Sequence, residues 1–199
     1  MADFYNPYEP VDQHGSSLPH WQQGEAIVFV TWRLADSLSA TKLEQLRRER
    51  GNWLLKNPQP WNSRQAAEYR EIFSGRVESW LDAGAGSCCL RRPELRQIIA
   101  DSLKYFNGER YRLDSFVLMP NHVHVLFQPE RRYKLKAILH TWKSFSSKEI
   151  HRSTGQIGAL WAEGYWDRLI RNQAHLDACR RYIRKNPEKA RLSIGEYTL

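Results

Sequence analysis

Nothing in the 199-residue chain is apolar for long enough to cross a bilayer. Its longest clean run, Ala26-Ile27-Val28-Phe29-Val30, has the size of a strand, against about 20 residues for a membrane-spanning helix. Cysteine is scarce too. Of the three, Cys88 and Cys89 are adjacent and Cys179 is distant, which fits neither a disulfide framework nor a zinc-finger spacing and points to a reducing compartment. Met1-Ala2-Asp3-Phe4 lacks the basic and apolar regions of a signal peptide, so a cytoplasmic protein is expected. There is no Walker-type glycine loop, no internal repeat and no clear inter-domain linker. With 41% apolar and 26% charged residues, wholesale disorder is excluded, and the chain is long enough to build a core without disulfide staples.

Acidic residues run short in one region only. Residues 1–130 hold 15 Lys/Arg against 16 Asp/Glu, whereas residues 131–199 hold 15 against 6, so the net charge of +8 arises wholly from the last third. Such a surface suits phosphate, or simply solvent. Trp142, Trp161, Tyr165, Trp166 and Tyr182 interleave with these charges, and aromatics beside Lys and Arg favour stacking on unpaired bases. Single-stranded nucleic acid is the partner this pattern predicts.

Residues 1–24 read as an arm ending in Leu18-Pro19-His20-Trp21, and residues 26–34 as a buried strand. Ser39 opens a helix with the stripe Leu43, Leu46, Trp53 and Leu54, stopped at Asn57-Pro58; Ser63 to Leu81 forms a second. Pro93 begins a third helix through Phe106. A hairpin follows: Tyr111 to Met119, a Pro120-Asn121 turn, then His122 to Gln128. Leu135 to His151 is helical and Leu160 to Ile170 extended. Asn172 caps a last helix from Gln173 to Lys185, ended by Asn186-Pro187. The order predicts an α+β fold: a ferredoxin-like antiparallel sheet with helices on one face and a helical insertion at about 39–84 after the first strand. The expected organisation is an arm (1–24), one catalytic domain (25–191) and a tail (192–199).

His122-Val123-His124 lies on the second hairpin strand, where alternation sends both imidazoles to one face. They either grip one metal ion or serve as hydrogen-bonded strand residues. On the last helix His175, Cys179, Tyr182 and Asn186 share a narrow arc, and Arg180, Arg181, Arg184 and Lys185 are expected on the opposite side. Tyr182 there is either amphipathic packing or a nucleophile whose phenol needs a metal or cationic site to assist it.

Several blocks carry a resemblance: Met119-Pro120-Asn121-His122-Val123-His124-Val125-Leu126, Trp142-Lys143-Ser144-Phe145, Tyr165-Trp166-Asp167-Arg168-Leu169-Ile170-Arg171, and Tyr182-Ile183-Arg184-Lys185-Asn186-Pro187-Glu188-Lys189-Ala190. With Phe29-Val30-Thr31-Trp32-Arg33-Leu34 near the start, their order resembles the single-tyrosine HUH transposases, closest to the REP-associated tyrosine transposases. The resemblance implies a nicking-and-joining enzyme for hairpin-forming single-stranded DNA, working through a 5′-phosphotyrosine intermediate and associated with the nucleoid. It implies His122, His124 and Asn186 as ligands of Mg2+ or Mn2+, and Tyr182 as the nucleophile. Lys143, Arg168, Arg171, Arg181, Arg184, Lys185, Trp142 and Trp166 are candidate DNA contacts. Two other readings stand beside it: a domesticated hairpin-binding protein that does not cut, and a metal-dependent hydrolase using activated water. Monomer and homodimer are both compatible with the sequence.

Overall fold

The computed structural model describes residues 3–14, 20–58 and 61–199; Leu18 and Pro19 of the arm motif lie outside them. Two short strands, β1 (Asp12–His14) and β2 (His20–Gln22), pair with each other. Then come β3 (Val28–Arg33), α1 (Ala40–Lys56), α2 (Ser63–Tyr69), a π-helical turn (Arg70–Gly75) and α3 (Arg76–Asp82). After α4 (Pro93–Tyr105) the hairpin β4 (Tyr111–Leu118) and β5 (His122–Pro129) leads to α5 (Leu135–Thr154), β6 (Trp166–Leu169) and α6 (Gln173–Lys189).

The main sheet has the order β4-β5-β3-β6, antiparallel throughout, which is the ferredoxin-like arrangement that the sequence predicts. Alternation divides each strand between two cores. Val28, Val30, Trp32, Val123, Val125 and Phe127 meet α4 and α5 on one face. Ile27, Phe29, Val117 and Leu126 meet Leu176, Cys179 and Ile183 of α6 on the other. The crossover helices thus share one face as expected, but α6 covers the opposite one, because its own apolar stripe has to be buried too.

Three boundaries differ from expectation. The second insertion helix is interrupted by the π turn at 70–75, which rotates the faces of α3 relative to α2. Helix α6 runs through Pro187 to Lys189 rather than stopping at Asn186-Pro187, since a missing amide near a helix end removes only one bond. The arm is stitched to the domain: Tyr5 N donates to Ile170 O at 2.8 Å, and Asp167 accepts from Trp21 N and pairs with His20 Nδ1 at 2.5 Å.

The insertion builds its own small cluster, Leu38, Val77 and Leu81, with Leu43, Leu46, Trp80 and Trp166 against it. It rejoins the core through Gly86, at φ +89°, where a Cβ would lie 2.7 Å from Asp36 O. Only glycine fits so close a backbone crossing. Residues 192–199 also fold back: Leu118 and Thr198 exchange backbone hydrogen bonds, and the buried Arg96 donates to Gly195 O and Thr198 Oγ1.

Candidate active site

Strand β5 delivers His122 and His124 to the α6 face, opposite Arg33 and Thr31 of β3. Both rings are fully buried, and their Nε2 atoms approach to 3.1 Å. His122 Nδ1 lies 2.8 Å from Asn121 Oδ1, and His124 Nδ1 lies 2.7 Å from Thr31 Oγ1. Burial keeps both imidazoles neutral: it pulls His122 down to about 3, with the charge of Lys189 adding to the effect. His124 is lowered by burial first, then by His122, Arg168 and Lys189.

Helix α6 starts where Asn172 Oδ1 accepts from His175 N at 2.9 Å. Two turns on, the Tyr182 ring stands edge-on to His124, centroids 5.2 Å apart, and to Phe29 at 5.9 Å. Its hydroxyl is sealed from solvent, with the Glu78 carboxylate as its neighbour. Burial raises the phenol above its ordinary range; the carboxylates of Glu78 and Asp82 add to the rise and Arg168 opposes it. One turn further, Asn186 is 1% exposed, and neither atom of its amide has a partner. With no bond to the backbone of the helix end, the side chain is not a helix cap.

Two grooves meet at Tyr182. One, of about 280 Å³, is lined by Arg181, Lys185 and Lys189 together with Tyr182 and Asn186. The other, of about 420 Å³, runs between α6 and the insertion, past Phe29, Glu71, Glu78, Arg168 and His175. Helix α3 places an acid on a cation at each side: Glu78 Oε1 lies 3.7 Å from Arg168 Nη2, and Asp82 Oδ2 lies 2.8 Å from Lys189 Nζ.

The residues present suit a divalent ion. Two nitrogens each about 2.1 Å from one ion, at right angles, would be about 3 Å apart, close to the observed Nε2 separation. A buried amide with both atoms idle is a second sign of a site meant to be filled. Among the described residues no trio of His, Cys, Asp and Glu gathers around one point, which leaves the two imidazoles and the Asn186 amide as the donors that would hold an ion.

The expected DNA contacts scatter. Arg181 and Lys185 line the first groove beside Tyr182 rather than facing away from it, and Arg168 lines the second. Arg171 and Arg184 are exposed but line neither groove. Trp166 is half-buried against the insertion. Trp142 and Lys143 are corrections. Trp142 is 1% exposed in the opposite core, with Nε1 donating to Tyr111 Oη, and Lys143 Nζ donates to the carbonyls of Ala162 and Gly164. Helix α5 turns both residues away from the histidine face. The sequence assigns no role to Lys189, Glu78 or Asp82. Lys189 could have been found seven residues, two turns, after Tyr182; nothing local marks the two acids.

Residues 91–186 match the family described as "Transposase IS200 like". No curated protein matches the chain. Among solved structures, a REP-associated tyrosine transposase bound to a REP hairpin is 14% identical with a TM-score of 0.47, over 88% of this chain and 74% of that one. A candidate transposase from Deinococcus radiodurans R1, also 14% identical, has a TM-score of 0.35 over 80% of this chain and 89% of that one.

Proposed function

We propose that the chain, whose residues 91–186 match the IS200-like transposase family, nicks and rejoins hairpin-forming single-stranded DNA through Tyr182. The observation that carries this reading is the meeting of parts far apart in sequence. The Tyr182 ring of α6 stands 5.2 Å from His124 of the paired His-Val-His on β5, and Tyr182 lines one cationic groove together with the idle Asn186 amide.

In this reading the strand enters along Arg181, Lys185 and Lys189, whose charges hold its phosphates. Phosphates also displace Glu78 from Arg168 and Asp82 from Lys189, which uncovers the Tyr182 hydroxyl. Tyr182 Oη attacks phosphorus, the bond to the 3′-oxygen breaks, and the phenol proton is made good on that oxygen as a free 3′-hydroxyl. The 5′-phosphate stays on Tyr182, so the phosphodiester energy is kept for rejoining and no nucleotide hydrolysis is needed. His122, His124 and Asn186 would hold Mg2+ or Mn2+, which supplies Lewis-acid stabilisation of charge on the phosphate oxygens. Phe29 and the surrounding core keep the imidazoles dry and neutral, so that their nitrogens stay available as ligands.

A hairpin oligonucleotide with an unpaired, labelled 3′ flank tests this. Incubation with Mn2+ should give a protein–DNA adduct that survives denaturing electrophoresis and is absent in Tyr182→Phe. Cleavage that persists in Tyr182→Phe would favour water as nucleophile. Tight hairpin binding with no cleavage by the wild type would favour a protein that only binds.

A further inference from the structure

The proton positions on the two histidines are constrained by residues that no part of the proposed chemistry uses. We propose that Asn121 and Thr31 are positioning residues: Asn121 locks His122 in its Nδ1–H form, while Thr31 lets His124 move its single proton from Nε2 to Nδ1 when a divalent ion binds. This rests on the reading that the pair holds such an ion.

Asn121 is 1% exposed, and its Nδ2 donates to Leu81 O at 3.1 Å and to Ala85 O at 3.0 Å, at the end of α3. Turning the amide over would press its oxygen against two carbonyls, so the orientation is forced. Oδ1 therefore faces His122 Nδ1 as an acceptor, and His122 donates. A neutral imidazole carries one proton, so His122 Nε2 presents a lone pair.

His124 Nε2 lies 3.1 Å from that lone pair. Two lone pairs cannot face each other at this distance without a cation between them. In the metal-free protein His124 therefore donates from Nε2 to His122 Nε2, and its Nδ1 accepts from the Thr31 hydroxyl at 2.7 Å. With an ion bound, both Nε2 atoms must offer lone pairs. The proton of His124 then sits on Nδ1 and is donated to Thr31 Oγ1. A hydroxyl serves either state by rotating, because it both donates and accepts. The proton count on the pair is the same before and after, so ion uptake releases no proton from it. Through Leu81 O and Ala85 O, the end of the insertion also takes part in orienting His122.

Long-range 1H–15N spectra of the histidine side chains, recorded on the full chain without metal and then with diamagnetic Mg2+, read the proton positions directly. His122→Gln and His124→Gln variants assign the signals. His122 should be Nδ1–H in both states, and His124 should change from Nε2–H to Nδ1–H. Titration with Mn2+ alone, followed by the paramagnetic resonance of the free ion, should show Thr31→Val binding about 10–100-fold more weakly and Thr31→Ser within a few-fold of wild type. Hairpin affinity should be unchanged in both. An unchanged His124 form on binding Mg2+, or Thr31→Val binding Mn2+ as wild type does, overturns the role of Thr31. His122 found as Nε2–H in the metal-free protein overturns that of Asn121. Failure of the wild type to bind either ion removes the metal site itself, and the metal-free spectrum still decides the Asn121 part. Should Thr31→Val not fold, the wild-type spectra and Thr31→Ser carry the test.

Discussion

Two carboxylates stand on the two cations nearest the tyrosine, so a strand reaching Tyr182 competes with the protein's own acids. Replacing both in Glu78→Gln/Asp82→Asn frees Arg168 and Lys189 before DNA arrives. The pairs are half in solvent, with the cationic side chains 42% and 54% exposed, so each contributes about 0.5–1 kcal/mol. Removing both contributions from the free state should tighten hairpin binding by about 1–2 kcal/mol, roughly 5–30-fold. Fluorescence anisotropy with a labelled hairpin carrying an unpaired flank, from about 50 to 200 mM salt, measures this. The variant and wild-type lines should be close to parallel, because both proteins neutralise the same phosphates once bound. Lys189→Met should flatten the line by about 0.7, the share of one single-strand phosphate contact. Superimposed wild-type and double-variant lines would refute the argument, for the acids would then not lie in the path of the strand.

Asn186→Ala should raise the Mn2+ concentration needed for half-maximal nicking while leaving Tyr182 reactive; coincident metal titrations would remove the amide from the ligand set. Acid should destabilise the fold through the buried pair. His122 is held down at about 3 against an ordinary 6.5, so its contribution is complete above pH 6.5 and is lost as pH falls toward 3, by about 1.4 kcal/mol per unit. Urea midpoints between neutral and mildly acid pH should accordingly converge for wild type and His122→Gln, and parallel curves would contradict the burial argument. Trp142→Ala should cost about 3–5 kcal/mol of stability and leave the salt dependence of DNA binding unaltered; the reverse pattern would restore Trp142 as a base-stacking residue.

What could be read from the sequence follows two periods. Alternation along His122-Val123-His124 puts both rings on one face whatever the rest of the fold does, and a four-residue step puts Asn186 below Tyr182. Which face of the sheet a helix covers is not a local property. Trp142 and Lys143 look like a DNA-facing aromatic–cation pair, yet α5 packs on the face away from the histidines. Lys189 reads as lying beyond the last helix because Pro187 looks like a stop, although α6 continues through it. Glu78 and Asp82 reach the site only because the π turn sets the rotation of α3 and the insertion docks against β6 through Trp166. That docking is a tertiary contact with no signature in the composition of either segment.

Strand β6 is four residues long, and neighbouring positions serve different masters. Asp167 turns to the arm and fastens His20, while Arg168 turns to the groove beside Tyr182. A strand has only two sides, so gaining or losing one residue just ahead of Asp167 would exchange these duties. The acid would then point at incoming phosphate and the guanidinium into the packed side that the arm covers. Such an indel reverses the sign of the groove without altering His122, His124, Tyr182 or Asn186, whereas a two-residue change keeps each charge on its own side. The spacing between Gly164 and Ile170 is thus held to a parity as well as a length.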